Sequence, residues 1–418
     1  MNKLSVKGGK KLKGAVKVHG AKNAVLPILA ATILTDGEVV LENVPLLSDV
    51  AVFCQIMCSL GVQIKQEGST LTVCANGLDI QANPDSSLSQ RLRASNLFLG
   101  PLMARAGRAR LAFPGGCAIG SRPMDYHIKA LEAMGASVEL TDGCIDAVCS
   151  GLYGAEIYFD FPSVGATENA LLAAVLARGD TVIKNAAREP EVADLARFLK
   201  VCGADIRGAG TDTIYISGVK ALHGGSYQVM PDRIEAGTLL CAAAITGGEI
   251  LLCGYDGQSL AALLHKLHDC GCLLGQTAEG LSLTAPERLK AVDIRTQPYP
   301  GFPTDMQPQM MALLSVAEGA TLITESIFEN RFRHAGELAR MGADIKVVGE
   351  VARIIGKPHL TGAGVEAADL RAGAALVLAA LAAEGESQIS GVEYIDRGYQ
   401  SLEQSLSALG ADIRRIKL

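Results

Sequence analysis

The sequence predicts an α/β protein of two pseudo-threefold domains, assembled from six units of about 70 residues. Each unit reads strand, helix, strand, helix, strand, strand. Three observations carry this reading. The first is a helix tail that ends at a glycine and turns into a strand, in SLGVQI, MGASVEL, CGADIRG, CGCLLG, MGADIKV and LGADIRR. The glycines are Gly61, Gly135, Gly203, Gly271, Gly342 and Gly410, spaced by 74, 68, 68, 71 and 68 residues. The second is an interleaved marker, an Ala/Leu-rich run that passes through glycine into β-branched residues. ILTDGEVVLENV, MARAGRARLAF, LARGDTVIKNA, AITGGEILLCG, VAEGATLITES and AAEGESQISGV are its instances. Glycine at a helix C-terminus followed by alternating apolar residues is a helix-to-strand switch. The third is composition: apolar residues make up 49% of 418 and aromatics 4%, with no Trp, so the core is aliphatic. Ala/Leu-rich helices of this kind pack inside, with the sheets outside.

The elements follow in chain order. Two strands in 3–19 precede the first unit, which opens near Lys22. A chain that begins on strands can return them to its last repeat to complete a sheet. The expected domains are therefore 21–230, and 231–418 together with 1–20. The crossings fall near Gly20 and near Met230–Pro231, and a ligand cleft is expected between the domains.

Net charge is −6 at pH 7, which provides no basic field for a nucleic acid. Eleven cysteines, an odd number with no repeating spacing, read as reduced thiols in a reducing compartment. The N-terminal MNKLSVKGGKKLKG has charge but no apolar core of a signal peptide. The longest apolar runs, such as Ala374 to Ala383, fall short of the ~20 residues that cross a bilayer. A cytoplasmic protein with no nucleic-acid or membrane partner is expected.

Chemistry concentrates where the first helix of each unit starts. The openings are GAKNAVLP (Lys22, Asn23), RLRASN (Arg93, Ser95), SVGATEN (Ser163, Gly165, Thr167), PDRIEAG (Asp232, Arg233, Glu235), FPTDMQ (Thr304, Asp305) and DLRAG (Asp369, Arg371). Caps use Ser, Thr, Asp or Asn, whereas Lys and Arg oppose the helix dipole at that end. Lys22, Arg93, Arg233 and Arg371 together are better explained by anionic ligands than by capping.

PGGCAIGSRPMDYHI, residues 114–128, is the second concentration. Pro-Gly-Gly is a loop and not a core element, so Cys117 is a poor fit to the ordinary buried thiol. Cys54, Cys58, Cys74, Cys144, Cys149, Cys202, Cys241 and Cys253 lie in helix or strand patterns and read as small buried hydrophobes. Arg122, five residues after Cys117, can hold an anion or lower the thiol pKa. HKLHDCGC brings His265, His268, Cys270 and Cys272 within eight residues. Aligned to the repeats, these four point in different directions, so no metal is expected. There is no P-loop GK[ST], no HExxH and no GxGxxG after a strand, which argues against an NTPase, a zincin or a dinucleotide enzyme.

GAKNAVLPILAA, RASNLFLGPL, PGGCAIGSRPMDYHI, SVGATEN, NAAREPEV, PDRIEAGT, FPTDMQPQ, FENRF, DLRA and IDRGY, in that order from about residue 3 to 415, resemble the UDP-N-acetylglucosamine 1-carboxyvinyltransferase family of enolpyruvyl transferases. The resemblance implies a pair of inside-out α/β barrels, three units in each. It implies transfer of the enolpyruvyl group of phosphoenolpyruvate to the 3-hydroxyl of UDP-N-acetylglucosamine with release of phosphate, the first committed step of peptidoglycan synthesis. No cofactor, metal or obligate protein partner is implied. By resemblance, Cys117 protonates phosphoenolpyruvate or forms an adduct with it. Lys22, Arg122 and Arg397 clamp its phosphate and carboxylate. Asn23 and Asp305 address the sugar hydroxyl, with Asp305 as base. Arg93, Arg122, Pro123, Met124, Asp125, Tyr126, Ser163, Val164, Gly165, Ile327 and Arg331 contact the nucleotide sugar. Asp369 and Arg371 support closure and product release. Some family members carry a Lys just before the SVGAT loop, where this chain has Phe161-Pro162, so that contact is expected to be absent. A non-catalytic sugar-nucleotide sensor and a shikimate-type transferase are the competing readings. Intact acid, base and clamp residues disfavour the first, and the cysteine loop the second.

Overall fold

The computed structural model describes residues 2–113 and 123–417. These form two compact units, one of residues 20–113 and 123–231, the other of 2–19 and 232–417. Each unit has its own aliphatic core.

The first unit carries three sheets. Thr35–Glu42 pairs with Thr70–Cys74, which pairs with Gln63–Glu67, all antiparallel. Leu222–Gln228 adds to Thr35–Glu42 in parallel, so the last strand of the unit returns to its first sheet. The second sheet runs Arg108–Ala112, Cys144–Val148, Ser137–Thr141. The third joins Glu156–Tyr158 in parallel to Asp180–Lys184, followed by Thr213–Ser217 and Asp205–Arg207.

The other unit has three four-stranded sheets built in the same order. Lys13–Lys17 lies parallel to Glu249–Cys253, with Gly280–Thr284 and Leu273–Thr277 beyond it. Ile294–Arg295 lies parallel to Ala320–Thr324, then come Val351–Ile355 and Asp344–Val348. Gly364–Glu366 lies parallel to Glu386–Ser390, and the N-terminal Asn2–Lys7 fits between that strand and Asp412–Lys417. A two-stranded parallel pair, Leu360–Thr361 with Ala383–Glu384, completes the strands.

The helices divide by pattern. Lys22–Thr32, Val164–Ala174, Arg233–Ile245, Gln307–Leu314 and Leu370–Ala382 are apolar nearly all round and are buried along almost their whole length. In the second unit the last three of these pack on one another. Other helices are one-sided, among them Ala261–Asp269, which buries only Leu263 and Leu267, one turn apart. The strands alternate, as in Thr213–Ser217, with one face in the core and the other on the surface.

The six marker glycines all follow a helix and adopt φ between 87° and 103°. An L-residue in this left-handed region costs about 1–2 kcal/mol, which is why glycine recurs there. At Gly61 a side chain would also meet the Gly77 carbonyl oxygen at 2.4 Å, whereas at Gly342 there is open space. Gly342→Ala is expected to lower the unfolding free energy by about 1 kcal/mol, and Gly61→Ala by more than twice that. Denaturant unfolding of the two variants side by side checks the difference.

Cys58 corrects one sequence expectation. It is exposed on the outer face of Ser48–Ser59, not buried. The helix buries Val50, Phe53, Ile56 and Met57, and position 58 falls off that stripe. Cys202, Cys241, Cys270 and Cys272 are buried as small hydrophobes, and burial pushes the Cys270 thiol up to about 12 and the Cys272 thiol up to about 11. His265 and His268 are exposed, away from these thiols' core positions. Among the described residues no helix is long and apolar enough to cross a membrane.

Candidate active site

Cys117 and Arg122 lie outside the described residues. The remaining sequence-predicted residues fall in two groups, one in each unit.

In the first unit, Lys22 begins the buried helix Lys22–Thr32, whose preceding Ala21 supplies no cap. Its ammonium lies 2.5 Å from an Asp49 carboxylate oxygen, and both side chains are almost fully buried. The sequence reading assigned this cation to a ligand alone. The fold shows that a protein carboxylate also balances it, as burial of a charge requires. Asn23, the next residue, is exposed on the first turn.

Arg93 opens the 3₁₀ turn Arg93–Phe98, and one of its Nη atoms approaches the Met124 sulfur at 3.9 Å. Met124 is buried and precedes the helix Asp125–Ala133, while Pro123 and Asp125 are exposed. Tyr126 packs edge-on to Phe159 at 5.8 Å between ring centroids. Ser163 caps Val164–Ala174 by accepting the Ala166 N–H.

Gly165 sits against the ring of His127, where an added side chain would meet Cε1 at 3.2 Å. His127 is buried and its Nδ1 lies 2.9 Å from the Asn169 amide nitrogen. Asn169 also donates to the Asn96 and Gly165 carbonyls and accepts the Gly100 N–H. Burial, assisted by Arg93, lowers the His127 pKa to about 3, so the ring is neutral at physiological pH. One neutral imidazole and one amide thus hold together the 93–98 turn, the 123–127 segment and the 163–165 segment. Sequence reasoning placed all three segments but missed Asn169 as their link, although it is the last residue of the SVGATEN motif.

In the second unit, Asp305 lies on the 3₁₀ turn Thr304–Met306 with its side chain part-exposed. Arg331 donates to Oδ1 at 2.9 Å, and Arg371 donates to Oδ2 through Nε at 3.2 Å and Nη2 at 3.0 Å. Both arginines are only 3% exposed. Burial opposes the charge of Arg371, but Asp305, Tyr399 and Asp232 outweigh it, and the guanidinium holds its proton more tightly than in water. Arg371 lies over the Tyr399 ring at 5.4 Å, and the Tyr399 hydroxyl bonds Thr238 and Gln309 in the interior. Asp369 caps Leu370–Ala382 by accepting the N–H groups of Arg371 and Ala372. Asp232 does the same for Arg233–Ile245, and burial raises its pKa despite the nearby Arg371.

Arg331 also lies over the Phe328 ring at 5.9 Å. Ile327 and Phe328 donate their N–H groups to Glu325. His334 is fully buried beside Arg331 and Asp369, and burial lowers its pKa to about 4. Arg331 Nε and Arg371 Nη1 have no hydrogen-bond partner among the described residues. Buried N–H groups of this kind fit anionic acceptors. Arg397 follows the short helix Val392–Ile395 and is half-buried. Chemically, the second unit presents one carboxylate able to accept a proton between two fixed cations. Among the described residues, no group of three or more His, Cys, Asp or Glu is arranged to hold a metal ion.

The family model described as EPSP synthase (3-phosphoshikimate 1-carboxyvinyltransferase) matches residues 6–406. The UDP-N-acetylglucosamine 1-carboxyvinyltransferase of Oleidesulfovibrio alaskensis is 51% identical over 416 residues, covering 100% of both chains. The UDP-N-acetylglucosamine 1-carboxyvinyltransferase 1 of Symbiobacterium thermophilum is 52% identical, covering 98% of this chain and 94% of the relative. Among solved structures, the enolpyruvyl transferase NikO from Streptomyces tendae superimposes with a TM-score of 0.89 at 30% identity, covering 100% of this chain and 99% of that one. EPSP synthase from Acinetobacter baumannii superimposes at 0.78 and 21% identity over all of both chains, a likeness of fold.

Proposed function

The chain belongs to the enolpyruvyl transferase family, alongside the UDP-N-acetylglucosamine 1-carboxyvinyltransferases, and from that premise we propose that it transfers the enolpyruvyl group of phosphoenolpyruvate to the 3-hydroxyl of UDP-N-acetylglucosamine. The observation that carries the reading to this chain's own residues is Asp305 fixed between buried Arg331 and Arg371.

The proposed steps are an addition and an elimination. Cys117 gives a proton to C3 of phosphoenolpyruvate, and C2 gains positive character. The sugar 3-hydroxyl oxygen bonds to C2 as its proton passes to Asp305. The resulting tetrahedral intermediate then returns a proton from C3 to the Cys117 thiolate as the C2–O bond to phosphate breaks, which forms the enol ether, and the phosphate leaves with the proton held by Asp305. A thiol of ordinary pKa, about 8.5, carries its proton at neutral pH and can act as this acid. The proton that Asp305 takes up weakens both of its ion pairs. Arg331 and Arg371 are then released toward the negative charge that departs with phosphate.

In the same reading Lys22, Arg122 and Arg397 hold the phosphate and carboxylate of phosphoenolpyruvate, and Asn23 assists Asp305 at the hydroxyl. Arg93, Pro123 to Tyr126, Ser163 to Gly165 and Ile327 contact the nucleotide sugar, and Asp369 and Arg371 support closure and release. The proposal includes six repeats in two inside-out α/β barrels, a cytoplasmic location, a place at the first committed step of peptidoglycan synthesis, and no cofactor.

The test is phosphate release from phosphoenolpyruvate with UDP-N-acetylglucosamine and with shikimate 3-phosphate as alternative acceptors, side by side. Release with the nucleotide sugar, lost in Cys117→Ala, is expected. Release with shikimate 3-phosphate alone, or calorimetric binding of the sugar nucleotide without turnover, overturns the reading.

A further inference from the structure

Glu325 is a buried carboxylate with four hydrogen-bond donors around it. It follows the strand Ala320–Thr324 and is 1% exposed. Oε1 accepts the Thr296 hydroxyl at 2.9 Å, the Ile327 N–H at 2.9 Å and the Phe328 N–H at 3.2 Å. Oε2 accepts the Thr304 hydroxyl at 3.0 Å. Thr296 in turn accepts the Ser326 N–H at 2.9 Å. A carboxylate this deep is tolerated because its lone pairs are satisfied.

These bonds close a ring. Thr304 is the neighbour of Asp305. Asp305 pairs with Arg331, Arg331 lies over Phe328, and Phe328 returns to Glu325. The turn with the proposed base and the 327–331 loop with a proposed sugar contact are thereby tied to one side chain.

We propose that Glu325 is a positioning residue for the transfer, setting Asp305 against the 327–331 loop so that base and sugar hydroxyl meet in register. The inference rests on the transferase reading above. Glu325 touches neither substrate in this account; it acts through Thr304 and the loop backbone. Misplacement of a reacting group by about 1 Å lowers the rate by about 100-fold.

The variants Glu325→Ala and Glu325→Gln separate position from charge. Glutamine keeps an oxygen for Thr296, Ile327 and Phe328, and the Thr304 hydroxyl can turn to accept from its amide. In Glu325→Ala, kcat is expected to fall about 100-fold, the KM for UDP-N-acetylglucosamine to rise, and the KM for phosphoenolpyruvate to stay near that of the unaltered protein. Glu325→Gln is expected to recover most of kcat. Amide exchange at Ile327 and Phe328 in the free protein is expected to accelerate in the alanine variant and not in the glutamine variant. This readout needs no turnover, so a failure of the transferase reading, seen as no phosphate release by the unaltered protein, is distinct from a failure of this one. A folded Glu325→Ala with unchanged kcat and unchanged exchange overturns the proposal, as does an equal loss in both variants. If Glu325→Ala does not fold, Thr304→Val removes the single bond to the Asp305 turn, and an unchanged kcat in that variant overturns it.

Discussion

Asp305→Asn is expected to lower phosphate release by about 10²–10⁴-fold, the span that a positioned acid–base group contributes. The substitution keeps size and shape and removes the proton acceptor. It also places an amide NH2 against one of two guanidinium groups, since Arg331 faces Oδ1 and Arg371 faces Oδ2. Whichever way the amide turns, a donor meets a donor. The two buried arginines then lose part of their counter-charge, so a fall in stability accompanies the fall in rate. The two effects separate if kcat is expressed per folded molecule and sugar-nucleotide affinity is measured by calorimetry. A loss of rate with affinity nearly retained identifies an interaction made in the transition state. A folded Asp305→Asn protein within tenfold of normal kcat removes Asp305 from the role of base.

Arg371→Met is expected to cost about 3–5 kcal/mol of unfolding free energy near pH 8, the range for breaking a buried ion pair by removing one partner. Methionine fills much of the volume over Tyr399 but leaves Asp305 with a single cation and Asp232 with none of the help Arg371 supplies. The deficit is expected to depend on pH. Asp232 already has its folded pKa raised by burial, and loss of Arg371 raises it further. A carboxyl group with a raised folded pKa destabilises the fold as pH rises through the unfolded value, because the unfolded chain ionises freely and the folded one does not. The unfolded chain ionises alike in both proteins, so the gap between variant and unaltered protein widens over the interval between the already raised folded pKa of Asp232 in the unaltered protein and its still higher value in the variant. Denaturant unfolding of both proteins from pH 4 to 8 reads this directly. A deficit that stays constant with pH, or one under about 1 kcal/mol, contradicts the electrostatic role given to Arg371.

Much of the site was legible from local pattern. Ser163, Asp232 and Asp369 are helix caps in the structure, as residues of these types at helix starts suggest. Lys22 and Arg371 do open buried helices, where a cation opposes the dipole. The explanation offered from sequence, an anionic ligand, was incomplete. Asp49 pairs with Lys22 and Asp305 pairs with Arg371, and neither partner lies near its cation in the chain. Asn169, Glu325, His334 and Tyr399 went unrecognised for the same reason: each looks like an ordinary core or loop residue until its neighbours are known.

By itself the sequence determined the α/β class, the marker glycines and the places where the buried helices begin. These depend on local physics: a left-handed φ admits glycine, a helix start needs a cap, and burial imposes an apolar period. Only the tertiary structure decided which charge meets which. The Asp305–Arg371 pair spans 66 residues and the Tyr399–Thr238 bond spans 161. Such contacts exist only after the helices and sheets have packed, because a buried charge or hydroxyl takes its partner from whatever element the core brings within 3 Å, however distant that element is in the chain.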